Sequence, residues 1–202
     1  MNLWNTRKKS TKWLDEEFSV ISDFNNNGYQ LLDKCINIFE KISLKKGDSH
    51  SGKFARACGS IVVKSNNLSL ACYSLTLDGL AQEAGAILRP LIETFELLTY
   101  LKEDSNRVEE VLNDELPLVG KIAQIIDGFD HEARDYLNNN SSHFSFTYHS
   151  ISYVFDFNSG KFKRLPSHDK EVFLTNIRTL NAYQRFILME SISSLYVLGI
   201  DV

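Results

Sequence analysis

The fold is decided by residues 81–101, AQEAGAILRPLIETFELLTYL, where apolar side chains occupy most of a helical wheel. Leu88, Leu91, Ile92, Phe95, Leu98 and Leu101 fill most of it. Gln82, Ala86, Arg89, Glu93, Glu96 and Tyr100 run as a single polar seam along the rest. A helix that is apolar on several sides belongs inside a helical domain, so the charges of that seam must be paired or used. Pro90 lies in the middle of the seam region. Its ring displaces the carbonyl of Ala86, and a kink, or a break from which Pro90 restarts the helix, is expected there.

The neighbouring sequence supports the same class. Upstream, Phe54, Cys58, Ile61, Leu68, Cys72 and Leu75 predict a helix from about Gly52 to Asp78, punctuated by Gly79. Before it, Leu14, Phe18, Ile21, Leu32, Cys35, Phe39 and Ile42 predict one long helix that begins near Thr11, capped by Ser10 or Thr11, and closes at Lys45-Lys46-Gly47-Asp48. Asn25-Asn26-Asn27-Gly28 weakens its centre without shifting the phase of the stripe. Downstream, short helices are expected near residues 106–112, 118–126 and 131–137. From His149 the alternation of Ile151, Tyr153, Phe155 and Phe157 with Ser152, Val154 and Asp156 predicts a strand, Asn158-Ser159-Gly160 a turn, and Lys161 to Leu165 an antiparallel return. Ser167 or Asp169 should cap a last long helix that ends at Gly199. The expected fold is therefore mainly α, a single-domain helical bundle over residues 1–202, with a small β-hairpin inserted around 149–165.

Composition narrows the function classes. With 202 residues, 43% hydrophobic content and a formal net charge of −4, the chain has an ordinary globular balance and no global basic field for nucleic acid. The basic groups cluster locally instead, at Arg7, Lys8, Lys9 and Lys12, at Lys41, Lys45 and Lys46, and at Lys161, Lys163 and Arg164. Cys35, Cys58 and Cys72 fit neither a CxxC pair nor a disulfide framework and read as small core residues. The start of the chain carries no apolar leader, and no uninterrupted apolar run reaches the ~18 residues of a membrane span. A cytoplasmic protein without membrane attachment is expected. No zinc spacing, glycine-rich phosphate loop or Gly-x-Ser-x-Gly elbow occurs, and Glu83, Glu93 and Glu96 lack the Glu-x-x-His partner of a di-iron bundle. Neither metal nor cofactor is expected.

Arg89 and Glu93 remain as the chemical centre of the sequence. Four residues apart, they share one helical face; an exposed pair of this spacing contributes only about 0.2–0.5 kcal/mol, less in the Arg-before-Glu order. A buried pair would orphan one charge when the other is removed, at a cost of roughly 3–5 kcal/mol.

The stretch Ala84-Gly85-Ala86-Ile87-Leu88-Arg89-Pro90-Leu91-Ile92-Glu93, with Ser141-Ser142-His143 downstream, resembles bacterial all-helical families of unknown function. In those families an Ala-x-x-Leu-Arg-x-Leu-x-Glu helix is followed, some fifty residues later, by a Ser-x-His or Ser-Ser-His loop. They are similar in shape to the HEPN superfamily of helical-bundle RNases and nucleotide-binding modules of prokaryotic defence and toxin systems. The resemblance spans roughly residues 50–150. HEPN ribonucleases carry Arg followed by His after four to six intervening residues, whereas the first His after Arg89 here is His131. The resemblance thus implies first a non-catalytic interaction or ligand-binding module, with Gln82, Glu96 and Tyr100 as its ligand-binding residues. Its alternative implication is a metal-independent RNase or nucleotide-binding component. There His143 would be the general base toward a ribose hydroxyl, Arg89 would steady the phosphate, and Glu93 would orient Arg89.

The last helix adds a partner expectation. Phe186, Leu188, Met189, Ile192 and Val197 extend its apolar surface beyond the main stripe, which suggests burial on several sides and a homodimer through this C-terminal helix. A protein partner or RNA are the other occupants expected.

Overall fold

A computed structural model describes all residues of the chain except 1–2, 18, 127–130, 138–147, 164–167 and 202. Helices α1 (Leu3–Glu17), α2 (Ser19–Lys46), α3 (His50–Leu77) and α4 (Ala81–Glu103) are followed by a 3-10 turn (Ser105–Arg107) that runs into α5 (Val108–Leu112). Next come α6 (Val119–Ile125), α7 (His131–Leu137), α8 (Tyr148–Ser152), strands β1 (Phe155–Asp156) and β2 (Lys161–Phe162), and α9 (Lys170–Val197). The fold is mainly α with one small antiparallel hairpin, the class the periodicity predicts. The residues gather into two compact units: 1–24, 68–90 and 130–182 form one, and 25–67, 91–129 and 183–202 the other, so α2, α3, α4 and α9 contribute to both.

In the first unit, Phe173, Leu174 and Ile177 of α9 form a buried cluster covered by Trp13 and Leu14 of α1 and by Tyr73 and Leu77 of α3. In the second, Phe39, Phe54, Val62, Leu98, Leu101 and Leu195 are fully buried, and burying an aliphatic or aromatic side chain of this size contributes roughly 1.5–3 kcal/mol. Gly59 lets α3 approach α2: a Cβ there would stand 3.1 Å from the Cβ of Phe39. Ser65 of α3 donates to Thr94 Oγ1 of α4 at 2.8 Å, and Lys102 of α4 meets Glu190 of α9 at 2.7 Å.

Three sequence expectations change. The first helix starts at Leu3 rather than near Thr11, because Ser10 is not a cap: its hydroxyl is fully buried and donates to the Leu77 carbonyl at 2.7 Å. The Asn25–Gly28 stretch stays helical within α2, as expected, while Phe18, between α1 and α2, lies outside the described residues.

At Pro90 a kink or a break is expected; the break does not occur, and α4 runs unbroken from Ala81 to Glu103. Proline in a helix interior costs about 3 kcal/mol. Leu88, Leu91 and Ile92, all buried around it, offset that cost by staying in the core.

The hairpin is shorter than the alternation suggests. Residues 148–152 form α8, where Gln82 of α4 donates to the buried Ser150 hydroxyl at 2.9 Å, and the strands pair only Phe155 with Phe162 and Asp156 with Lys161. The turn is as expected: Asp156 Oδ1 accepts from the Asn158 amide at 3.0 Å, and Gly160 N–H closes onto the Asp156 carbonyl at 2.8 Å. These local donors hold the Asp156 carboxyl below the usual carboxylate range, the Ser159 hydroxyl first and the Asn158 amide next.

Of the two candidate caps for α9, Ser167 lies outside the described residues and Asp169 caps the helix. Its Oδ1 accepts from the amides of Glu171 at 2.9 Å and Val172 at 3.2 Å. At the end of α3, Gly79 adopts φ +77°, and the Leu80 amide reaches back to the Leu75 carbonyl at 2.9 Å, a closure that needs a left-handed residue at position 79.

Candidate functional site

The polar seam of α4 lies on one continuous helix, as its spacing requires. Gln82 is committed to Ser150. Arg89 and Glu93 are both half-buried, and both are engaged in interactions. Glu96 is 2% exposed, well inside the second unit.

Tyr100, 4% exposed, donates its hydroxyl to Glu110 Oε2 at 2.8 Å. Arg107 caps the same ring, with its guanidinium carbon 4.1 Å from the centroid and Nη1 donating to the Tyr100 carbonyl at 2.8 Å. Burial pushes the Tyr100 phenol up, and the neighbouring Glu110 carboxylate adds to the shift. The Gln82 amide nitrogen and the Tyr100 hydroxyl thus each have a partner within the protein.

Gln82 and Arg89 belong to the first unit, and Glu93, Glu96 and Tyr100 to the second. His143, the proposed base, lies outside the described residues. His131 and His149 fall in α7 and α8.

The cysteines offer no nucleophile. Burial raises the Cys58 thiol to about 12 and Cys72 to about 11, and it raises Cys35 as well. Among the described residues no group of three or more His, Cys, Asp or Glu gathers in a way that could hold a metal ion. No helix among them is long and apolar enough to cross a membrane.

The most conspicuous surface is the outer face of α9 within the second unit. Phe186, Met189, Tyr196 and Val197 are 45%, 62%, 54% and 47% exposed, along about 17 Å of helix. Phe95 of α4 extends this face, its ring 5.7 Å from that of Phe186. The composition of α9 pointed here, with two adjustments. Leu188 is buried and Ile192 half-buried, so neither belongs to the exposed stripe. Tyr196 was missed, although its spacing of ten from Phe186 and seven from Met189 puts it on the same side of the helix.

The chain matches no protein-family model, no curated protein and no solved structure.

Proposed function

We propose that the protein is a non-catalytic helical interaction module that self-associates through the outer face of α9. The observation that carries this reading is the exposed run Phe186, Met189, Tyr196 and Val197, four large apolar groups on one helical face. A contiguous apolar strip is costly to leave in water and is characteristic of surfaces that meet a partner. A second copy suits it. In an antiparallel two-fold pair of α9 helices, the small Ser193 at the middle of the stripe would let the backbones approach, with Met189 of each copy opposite Val197 of the other. Ser193 brings no competing polar demand, because its hydroxyl already donates to the Met189 carbonyl at 2.9 Å.

Light scattering across a concentration series tests this directly. The wild type should move from monomer to dimer mass, and Met189→Glu should stay monomeric with unchanged helicity and melting temperature. A wild type that is monomeric throughout, or a Met189→Glu variant that still dimerises, overturns the proposal.

The HEPN-like alternative, an RNase or nucleotide-binding component using Arg89 and His143, rests on the sequence resemblance and on the half-buried place of Arg89 beside Glu93 on α4. It predicts that purified protein degrades RNA and that His143→Ala abolishes this at unchanged melting temperature. Intact RNA, or a fully active His143→Ala protein, removes it.

A further inference from the structure

Cys35, Cys58, Cys72, Met1 and Met189 carry all the sulfur of the chain. The three thiols are buried, and burial keeps them protonated, whereas the thiolate is the form that attacks an oxidant. Met1 lies outside the described residues.

Met189 is the opposite case. It is 62% exposed, more than Phe186, Tyr196 or Val197 on the same face of α9. A thioether has no proton to lose before it reacts, so exposure alone governs its access to an oxidant. Its position is equally telling. Three residues after Phe186 and four before Ser193, it lies within the apolar stripe rather than at its border.

We propose that Met189 is an oxidation site at which a hydroperoxide controls self-association through α9. This inference rests on the reading of that face as a dimer surface. In the reaction the sulfur lone pair attacks the outer peroxide oxygen. An S–O bond forms, the O–O bond breaks, and the departing oxygen takes up the proton of the transferred one and leaves as water or an alcohol. The sulfur loses two electrons and the peroxide gains them. Two external thiols reverse the change: they become a disulfide, and the oxygen departs as water.

The product is a polar sulfoxide in a strip that must be dry when two copies meet. In the antiparallel pair Met189 faces Val197 of the other copy, whose side chain offers no hydrogen-bond donor. The neighbouring Ser193 hydroxyl is committed to the Met189 carbonyl at 2.9 Å. Two-fold symmetry repeats the contact, so a penalty of roughly tenfold per sulfoxide weakens the dimer about a hundredfold. Coupling runs the other way as well. Association covers the sulfur, so the monomer is the form that is oxidised, and oxidation holds it there.

Light scattering gives the monomer–dimer midpoint of the wild type before and after hydrogen peroxide under native conditions, while peptide mass mapping reports which sulfur has gained oxygen. One oxygen should appear on Met189 with the cysteines unmodified. The midpoint should rise about a hundredfold at unchanged helicity, and a methionine sulfoxide reductase supplied with thiol should restore it. Met189→Leu, whatever its own midpoint, should keep it through the same treatment. A dimer whose midpoint stays put once Met189 is oxidised, cysteines oxidised ahead of Met189, lost helicity, or a Met189→Leu protein that shifts like the wild type overturns the oxidation site and leaves the dimer reading standing. A wild type that is monomeric throughout before any peroxide overturns the dimer reading, and this inference with it.

Discussion

Arg7 grips Asp78 with both prongs of its guanidinium: Nε donates to Oδ1 at 2.7 Å and Nη2 to Oδ2 at 2.9 Å, and Nη2 also donates to the Ser74 hydroxyl at 2.8 Å. This ties α1 to the end of α3. The pair is partly exposed, with side-chain accessibilities of 41% and 26%, so solvent screens it and its worth lies in geometry more than in charge. Arg7→Lys keeps the charge and loses the fork, and it should cost about 1 kcal/mol in urea unfolding. Arg7→Ala and Asp78→Asn should each cost a similar amount, and the double variant should cost clearly less than the two added together.

Tyr100→Phe deletes the hydroxyl that meets Glu110 at 2.8 Å but keeps the ring beneath Arg107. The expected loss is about 1 kcal/mol, the usual net worth of one hydrogen bond, with a little more because the acceptor is charged. Calorimetry at neutral pH checks it. The phenol is raised in the folded state, so its contribution is present below pH about 10 and fades as the pH rises through the higher folded value. The gap between wild type and Tyr100→Phe should therefore narrow in strong alkali.

Two glycines separate backbone strain from collision. Gly47 has φ +54° with nothing within 4 Å of an added Cβ, whereas Gly79 has φ +77° and its Cβ would meet His168 Nδ1 and Thr6 Cγ2, each at 2.9 Å. Gly47→Ala should cost about 1 kcal/mol from conformation alone. Gly79→Ala should cost more by about 1–3 kcal/mol, the range for forcing extra volume into a packed site. Equal melting temperatures for the two variants would contradict the close approach of His168 to the turn.

All three thiols are buried, with Cys58 raised to about 12 and Cys72 to about 11. Folded protein should resist a thiol reagent at pH about 8, where an ordinary cysteine is partly ionised, and should react at all three sites in denaturant. Rapid labelling of any one of them in the native protein would place that residue nearer solvent than the packing allows.

The helices were legible because their signal is local. The stripe of α3 and the packed wheel of α4 repeat at the helical period, so their limits fell within a few residues of those expected, and His131 to Leu137 coincided with α7. The apolar surplus of α9 was visible too, since a helix with more apolar residues than one face can hide must expose some. Misreadings arose where a polar residue takes a distant partner. Ser10 has the chemistry of a helix cap, but its hydroxyl goes to the Leu77 carbonyl, 67 positions away, and meets His168, 158 positions away, while α1 continues through it. Ser150 sits in an alternating stretch, yet its bond to Gln82, 68 positions away, accompanies a helical turn where a strand was expected.

The amino-acid order by itself settled which segments coil, which of their faces are apolar, and that Arg89 and Glu93 share a side of α4, because a fixed rise per residue turns spacing into direction. Only tertiary structure decided how the polar groups are used: Gln82 and Tyr100 on internal bonds, Asp78 on Arg7, and His168 on Ser10. A hydrogen bond needs its two atoms within about 3 Å, and no periodicity along the chain records which remote residue will arrive there.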